Sequence, residues 1–242
     1  MVLSEHFRQR KIEATFSSFR SMVPLTTPSG PQHVESALES ELLEQLAFAP
    51  GVYDLLTQPI IEYTVDGKPR QYTPDIVVQF HACHEETIDV FIIEVKRKDD
   101  LADNASDYAV KFRVAQAVAE SMGAAFRIMT EDAIRTPYLT NTRLLRRHLD
   151  ADPELTVIRA IEQELGAQEI TVAEAIVLLR SVGMAVPDIR AGIEQAVAWR
   201  LLLCDLALPF TDATIIRART PGEIPPRRSD PLLRSLAQAE SS

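Results

Sequence analysis

Cysteine, glycine and aromatic residues are all scarce in this 242-residue chain: two Cys, eight Gly, one Trp and an aromatic content of 6%. Cys83 and Cys204 stand far apart with no paired spacing, which argues against a disulfide framework and for free thiols in a reducing compartment. No stretch approaches a membrane span, and Glu5, His6 and Arg8 interrupt the N-terminus where a signal peptide would need an apolar run. Excess positive charge is missing too. A net charge of −10 argues, taken alone, against a protein that wraps DNA non-specifically, since phosphate binding needs clustered Lys and Arg. These absences describe a cytoplasmic protein that folds without covalent staples.

The length supports one good core and a second, smaller one, and 46% hydrophobic with 25% charged residues is ordinary for a soluble globular protein. Basic groups do cluster locally, at Arg8–Lys11, Lys96–Lys98, Arg143–His148 and Arg217–Arg228. An acidic total with local basic clusters fits a metal site in a subunit that relies on partners for DNA affinity.

Residues 1–33 show no sustained period, and Thr26–Pro31 has loop composition, so an irregular N-terminal arm is expected. From Val34 to Phe48, Leu38, Leu42, Leu43 and Leu46 recur at helical spacing until Pro50-Gly51. Ile60–Val65, the hairpin signal Asp66-Gly67, and Gln71–Phe80 predict two or three antiparallel strands. The apolar, β-branched run Ile88–Val95 predicts a strand buried on both faces in mid-sheet. A helix over Ala105–Met122, stopped by Gly123, and a strand over Phe126–Met129 follow, then a partly helical Asp132–Leu149.

Asp150-Ala151-Asp152-Pro153 reads as a domain boundary, with Asp152 capping a helix that runs through Leu165. Thr171–Glu174 is a capping box, and Ile189, Ile193, Val197 and Leu201 stripe a further helix over Asp188–Leu203. Leu203–Leu206 and Thr214–Ile216 flank a turn containing Pro209. Three helices and a terminal hairpin describe a winged helix-turn-helix. The expected division is therefore an arm at 1–33, a first domain at 34–150, a winged-helix domain at 151–219 and a mobile Pro-, Arg- and Ser-rich tail at 220–242.

The chemistry lies in Pro74-Asp75, eighteen intervening residues, then Glu94-Val95-Lys96. That spacing suits a hairpin, in which side chains alternate with period two: Glu94 and Lys96 share a face, and Asp75 on the neighbouring strand reaches the same cluster. Two such carboxylates would hold a hard cation such as Mg²⁺, and the lysine would orient or deprotonate water. Glu39 or Glu35, on the preceding helix, would complete the set. Without that context, Asp75 is also an ordinary turn former and Glu94 and Lys96 ordinary solvated strand-end charges. His33, His81, Cys83 and His84 lack the paired spacing of a zinc site, and Trp199 reads as packing.

Glu35-Ser36-Ala37-Leu38-Glu39, Leu46–Val52, Gln58-Pro59, Tyr72-Thr73-Pro74-Asp75 and Ile93-Glu94-Val95-Lys96 resemble, in order and spacing, the catalytic domain of the TnsA family. This family supplies the endonuclease subunit of heteromeric bacterial transposases. The resemblance continues through Lys111-Phe112 and Phe126–Glu131, and Leu202–Ile216 is similar to the closing hairpin of the family's C-terminal domain.

The resemblance implies an α/β fold: a restriction-endonuclease-like domain with a mixed central sheet, followed by a winged helix-turn-helix. It implies Glu39, Asp75 and Glu94 as metal ligands and Lys96 as the catalytic lysine, with Mg²⁺ as the ion and Mn²⁺ as a substitute. Some family members carry Gln where this chain has Glu94. The implied activity is hydrolysis of the 5′ strand at transposon ends, beside a TnsB-like transposase that cuts and joins the 3′ strand and a TnsC-like AAA+ ATPase. A stand-alone restriction-like or junction-resolving nuclease and a non-catalytic DNA-binding scaffold are the competing readings.

Overall fold

The computed structural model describes residues 2–10, 21–82, 89–150, 152, 155–165, 168–223 and 229–238. Expectations that touch Lys11, Cys83, His84, Ile88, Pro153, Arg227 and Arg228 lie outside them. The chain divides into two compact units, 1–135 with 235–242, and 136–234.

In the first unit, α1 (Leu3–His6), β1 (Arg8–Gln9), β2 (Ser21–Val23) and β3 (Gln32–Val34) precede α2 (Ala37–Phe48). Then come β4 (Val52–Thr57), β5 (Pro59–Val65), β6 (Lys68–Tyr72), β7 (Ile76–Phe80) and β8 (Val90–Val95). α3 (Lys98–Asp103), α4 (Ala105–Ser121), β9 (Ala125–Met129) and α5 (Glu131–Ile134) complete it. The central sheet has the order β4-β7-β8-β9, antiparallel except for the parallel β8–β9 pair, so the sheet is mixed. β8, flanked on both sides, buries Ile92 and Ile93 completely. A parallel neighbour needs a crossover, and α4 supplies it, packing Ala115, Val118 and Ala119 into the core with Val77, Ile92 and Phe126.

Three departures from the expected pattern concern the arm, the first helix and an additional strand. Among its described residues the arm forms α1 and three short strands, and Leu3 is fully buried in the main core. Val34 belongs to β3, and α2 begins only after Ser36, whose hydroxyl accepts from the Glu39 N–H at 3.1 Å. Strand β4 was not signalled, because Asp54 sits in its middle. That carboxylate is buried and accepts from Leu3 N–H at 2.7 Å, Ser29 N–H at 3.0 Å and Ser29 Oγ at 2.7 Å, donors distant in sequence, and from the adjacent Leu55 N–H at 2.9 Å.

The second unit holds α6 (Pro137–Leu145), a 3₁₀ turn at Arg146–Leu149, α7 (Leu155–Leu165), β10 (Ile170–Thr171), α8 (Val172–Ser181) and α9 (Val186–Ala198). Short strands β11 (Leu202–Leu203) and β12 (Ile215–Ala218) follow, in an antiparallel sheet of order β10-β12-β11. Thr171 and Glu174 form the expected capping box. Helix α9 is shorter than the predicted 188–203, ending at Ala198 before Arg200 takes a positive φ of 56° and turns the chain into β11. Helices α7 and α9 approach so closely that a Cβ on Gly192 would lie 2.4 Å from Val157 Cγ2.

Contact boundaries fall at 135 rather than 150, since α6 belongs with the second unit. The tail expected over 220–242 contains a helix, α10 (Pro231–Gln238), which buries Leu232, Leu233 and Leu236. Asp230 stands at its start, accepting from the Leu232 N–H at 3.0 Å and from Tyr138 Oη at 2.6 Å.

Candidate active site

The β7–β8 hairpin brings three of the predicted residues together. Ile76 pairs with Ile93, and that register carried one step further places Asp75 across from Glu94. Just past the end of β8, Lys96 extends its ammonium between them, with Nζ 2.8 Å from Asp75 Oδ2 and 2.9 Å from Glu94 Oε2. Asp75 Oδ2 also accepts from the Val95 N–H at 2.7 Å, which fixes the carboxylate at the mouth of the strand pair.

Two partners were not assigned from the sequence. Tyr72, the last residue of β6, donates from Oη to Glu94 Oε1 at 2.7 Å, and Lys111 of α4 places Nζ 3.0 Å from Glu94 Oε2. Both lie in motifs that carried the family resemblance, yet their convergence on Glu94 depends on a hairpin and a helix that only the fold juxtaposes. Glu94 itself is fully buried, while Lys111 is half-exposed.

The electrostatics follow from burial and charge. Burial pushes the Asp75 carboxyl above its usual range, and the neighbouring Glu94 charge adds to this against the opposing pull of Lys96. Burial acts the same way on Glu94, but Lys96, Lys111 and the hydrogen bonds from Lys96 and Tyr72 outweigh it and hold that carboxyl below the usual range. Burial disfavours the Lys96 ammonium, yet the Asp75 and Glu94 charges together hold it protonated well above the ordinary lysine range.

Glu39 lies on the first turn of α2, 7% exposed. Burial raises its carboxyl, a hydrogen bond from the Glu35 N–H at 3.1 Å opposes that, and the Asp75 charge raises it further. Glu39 is therefore near enough to feel Asp75 as a like charge, but among the described residues no group of three or more His, Cys, Asp or Glu closes into a metal-holding cluster. The acids that converge are the pair Asp75 and Glu94. As hard oxygen donors whose mutual repulsion a cation relieves, they fit a divalent ion of the Mg²⁺ type.

Glu35 is tied elsewhere, to the Arg10 guanidinium and to Gln58 Nε2 at 2.7 Å. His81 packs edge-on against Tyr53, with ring centroids 5.0 Å apart. Trp199 is partly exposed and donates from Nε1 to the His148 carbonyl at 3.0 Å.

Residues 49–131, about a third of the chain, match the model of the family described as TnsA-like endonuclease N terminal. The matched stretch runs from the end of α2 to the start of α5, so Tyr72, Asp75, Glu94, Lys96 and Lys111 fall inside it and Glu39 lies before it. A comparison with curated proteins gave no match.

Proposed function

We propose, from the match of residues 49–131 to the TnsA-like endonuclease N-terminal family, that the chain is a Mg²⁺-dependent DNA endonuclease subunit of a heteromeric transposase. In this reading it hydrolyses the 5′ strand at transposon ends, while a TnsB-like partner cuts and joins the 3′ strand and a TnsC-like ATPase regulates the assembly. The observation that carries the reading is the meeting of Asp75, Glu94 and Lys96 within 2.9 Å at the end of the central hairpin. Keeping a buried and a partly buried carboxylate converged costs folding stability, and a hydrolytic centre gives that cost a purpose.

Asp75 and Glu94, with Glu39 as the third donor, would hold the ion, and Mn²⁺ would substitute for Mg²⁺. A divalent ion there supplies charge stabilisation at the phosphoryl oxygens and a bound water of lowered pKa. In the metal-free site the Asp75 and Glu94 charges favour the Lys96 ammonium, and in that state it would donate a hydrogen bond to an anionic oxygen. Tyr72 and Lys111 fix the Glu94 carboxylate from two sides of its headgroup, one on each oxygen.

Helices α7 to α9 with strands β10 to β12 make up a winged helix-turn-helix in this reading. Two of its bases, in α9 and just after it, are engaged within the unit: Arg190 pairs with Asp212 and Arg200 with Asp230. Engaged arginines and a net charge of −10 favour a protein-docking role for this unit, with DNA affinity supplied by the partners.

Metal dependence is tested by nicking of supercoiled plasmid carrying a transposon end, with Mg²⁺ or with EDTA, in the presence of the partner proteins. On the 5′ strand, wild type nicks with Mg²⁺ and not with EDTA, and Asp75→Ala and Lys96→Ala do not nick; a 5′-strand nick by Asp75→Ala at the wild-type rate contradicts the assignment.

A further inference from the structure

Gln58, between β4 and β5, holds φ at +48°, a region of backbone space that favours glycine, and it is 3% exposed. All four of its polar atoms are engaged. Its N–H donates to the Asp75 carbonyl at 2.9 Å, and its carbonyl accepts from the Arg10 N–H at 3.0 Å. Its Oε1 accepts from Arg10 Nε at 2.8 Å, and its Nε2 donates to Glu35 Oε2 at 2.7 Å. The Arg10 guanidinium pairs with the same Glu35 oxygen, and the Glu35 N–H donates to Glu39 Oε2 at 3.1 Å.

One residue thus links the backbone of Asp75 to the carboxylate of Glu39, through Glu35. A turn alone does not call for this side chain, because glycine takes a positive φ at lower cost. What glycine lacks is the amide, which meets Arg10 and Glu35 at once. Strained backbone held by surrounding contacts is a known feature of sites where geometry matters.

We propose that Gln58 is a positioning residue that, with Arg10 and Glu35, fixes Glu39 relative to Asp75 so that carboxylates from the helix and the hairpin act as one donor set for a divalent cation. This rests on the metal-site reading above. Glu35 thereby acquires a role that its place one turn before Glu39 does not by itself supply: its backbone orients the ligand, and its side chain is held by Gln58 and Arg10.

The test is calorimetric titration of Mn²⁺ into the full chain without DNA, comparing wild type, Gln58→Gly and Glu35→Gln, with thermal melting of each. Gln58→Gly removes the amide and leaves the backbone free to keep its positive φ. Losing an outer partner of a metal ligand weakens binding by about tenfold or more, and that is the expected change in Mn²⁺ Kd for both variants, with melting little altered. A purely structural Gln58 would lower the melting temperature and leave the Mn²⁺ Kd within about twofold of wild type, which overturns the proposal, as does no change in either. Should Gln58→Gly not fold, Glu35→Gln carries the same test, since its side chain is 38% exposed. Wild type that takes up no Mn²⁺ overturns the metal-site reading and this inference with it; wild type that binds beside unaffected variants overturns the inference alone.

Discussion

Asp75 and Glu94 face each other across the β7–β8 ladder, and the Lys96 ammonium lies within 2.9 Å of both. Each carboxylate alone is tolerable; together they need a cation, and in the free protein Lys96 is that cation. The stability of the domain and the chemistry of the site are therefore coupled through one hairpin.

The first consequence concerns Asp75→Asn. Burial and the Glu94 charge raise the Asp75 carboxyl above its usual value of 3.8, so the ionised group costs stability at neutral pH. A raised carboxyl means the folded chain holds its proton more tightly than the unfolded chain. The cost is absent below the unfolded value and fully present above the folded one. Asp75→Asn should melt higher than wild type at pH 7, by on the order of 1 kcal/mol, as when a strained active-site charge is removed. The difference should close as the pH falls below about 4, which thermal melting across pH 3–8 will read.

Lys96→Met should act in the opposite sense. It leaves Asp75 and the fully buried Glu94 facing each other, with Lys111 and Tyr72 still on Glu94 and the Val95 N–H still bonded to Asp75. Breaking a buried pair by removing one partner costs about 3 kcal/mol. Urea denaturation at pH 7 should show that loss, and combining Lys96→Met with Asp75→Asn should recover part of it, because the two residues share one interaction.

In the second unit the close crossing of α7 and α9 gives a packing prediction. A Cβ at Gly192 would sit 2.4 Å from Val157 Cγ2, so Gly192→Ala forces the helices apart and should cost about 2 kcal/mol despite the better helix propensity of alanine. Adding Val157→Ala removes the two methyls but leaves its Cβ 2.7 Å from the new one, so it should relieve the clash in part and the double variant should lose less than the sum of the two single losses. A strictly additive loss in the double variant, measured by chemical denaturation, contradicts the clash.

Asp230→Ala tests the terminal helix. Asp230 caps α10 through the Leu232 N–H, accepts from buried Tyr138 and pairs with Arg200. Losing a cap costs about 1 kcal/mol, and leaving the buried Tyr138 hydroxyl without its acceptor costs a similar amount again. Proteolysis should consequently release the C-terminal segment faster than in wild type.

The hairpin was legible in the sequence because its signals are local: period-two alternation, a hairpin-length spacing between Asp75 and Glu94, and an unbroken apolar run for the internal strand. The Thr171–Glu174 capping box was legible for the same reason. Strand β4 was not, because Asp54 breaks its pattern and draws its long-range donors from Leu3 and Ser29. Helix α10 had a signal, Leu232, Leu233 and Leu236 at helical spacing, overshadowed by the Pro- and Arg-rich composition around it. Lys111 and Gln58 acquire their roles from partners on other elements, 17 residues away from Glu94 in one case and 48 away from Arg10 in the other.

The most direct test of the account is strand-resolved cleavage of end-labelled transposon-end DNA with Mg²⁺, with and without TnsB-like and TnsC-like partners, for wild type and Asp75→Ala. The expected result is a 5′-strand cut that requires the partners and vanishes with Asp75→Ala while the partner's 3′-strand cut persists. A 5′-strand cut that survives Asp75→Ala, or a wild-type protein that cuts neither strand in any combination, would contradict it.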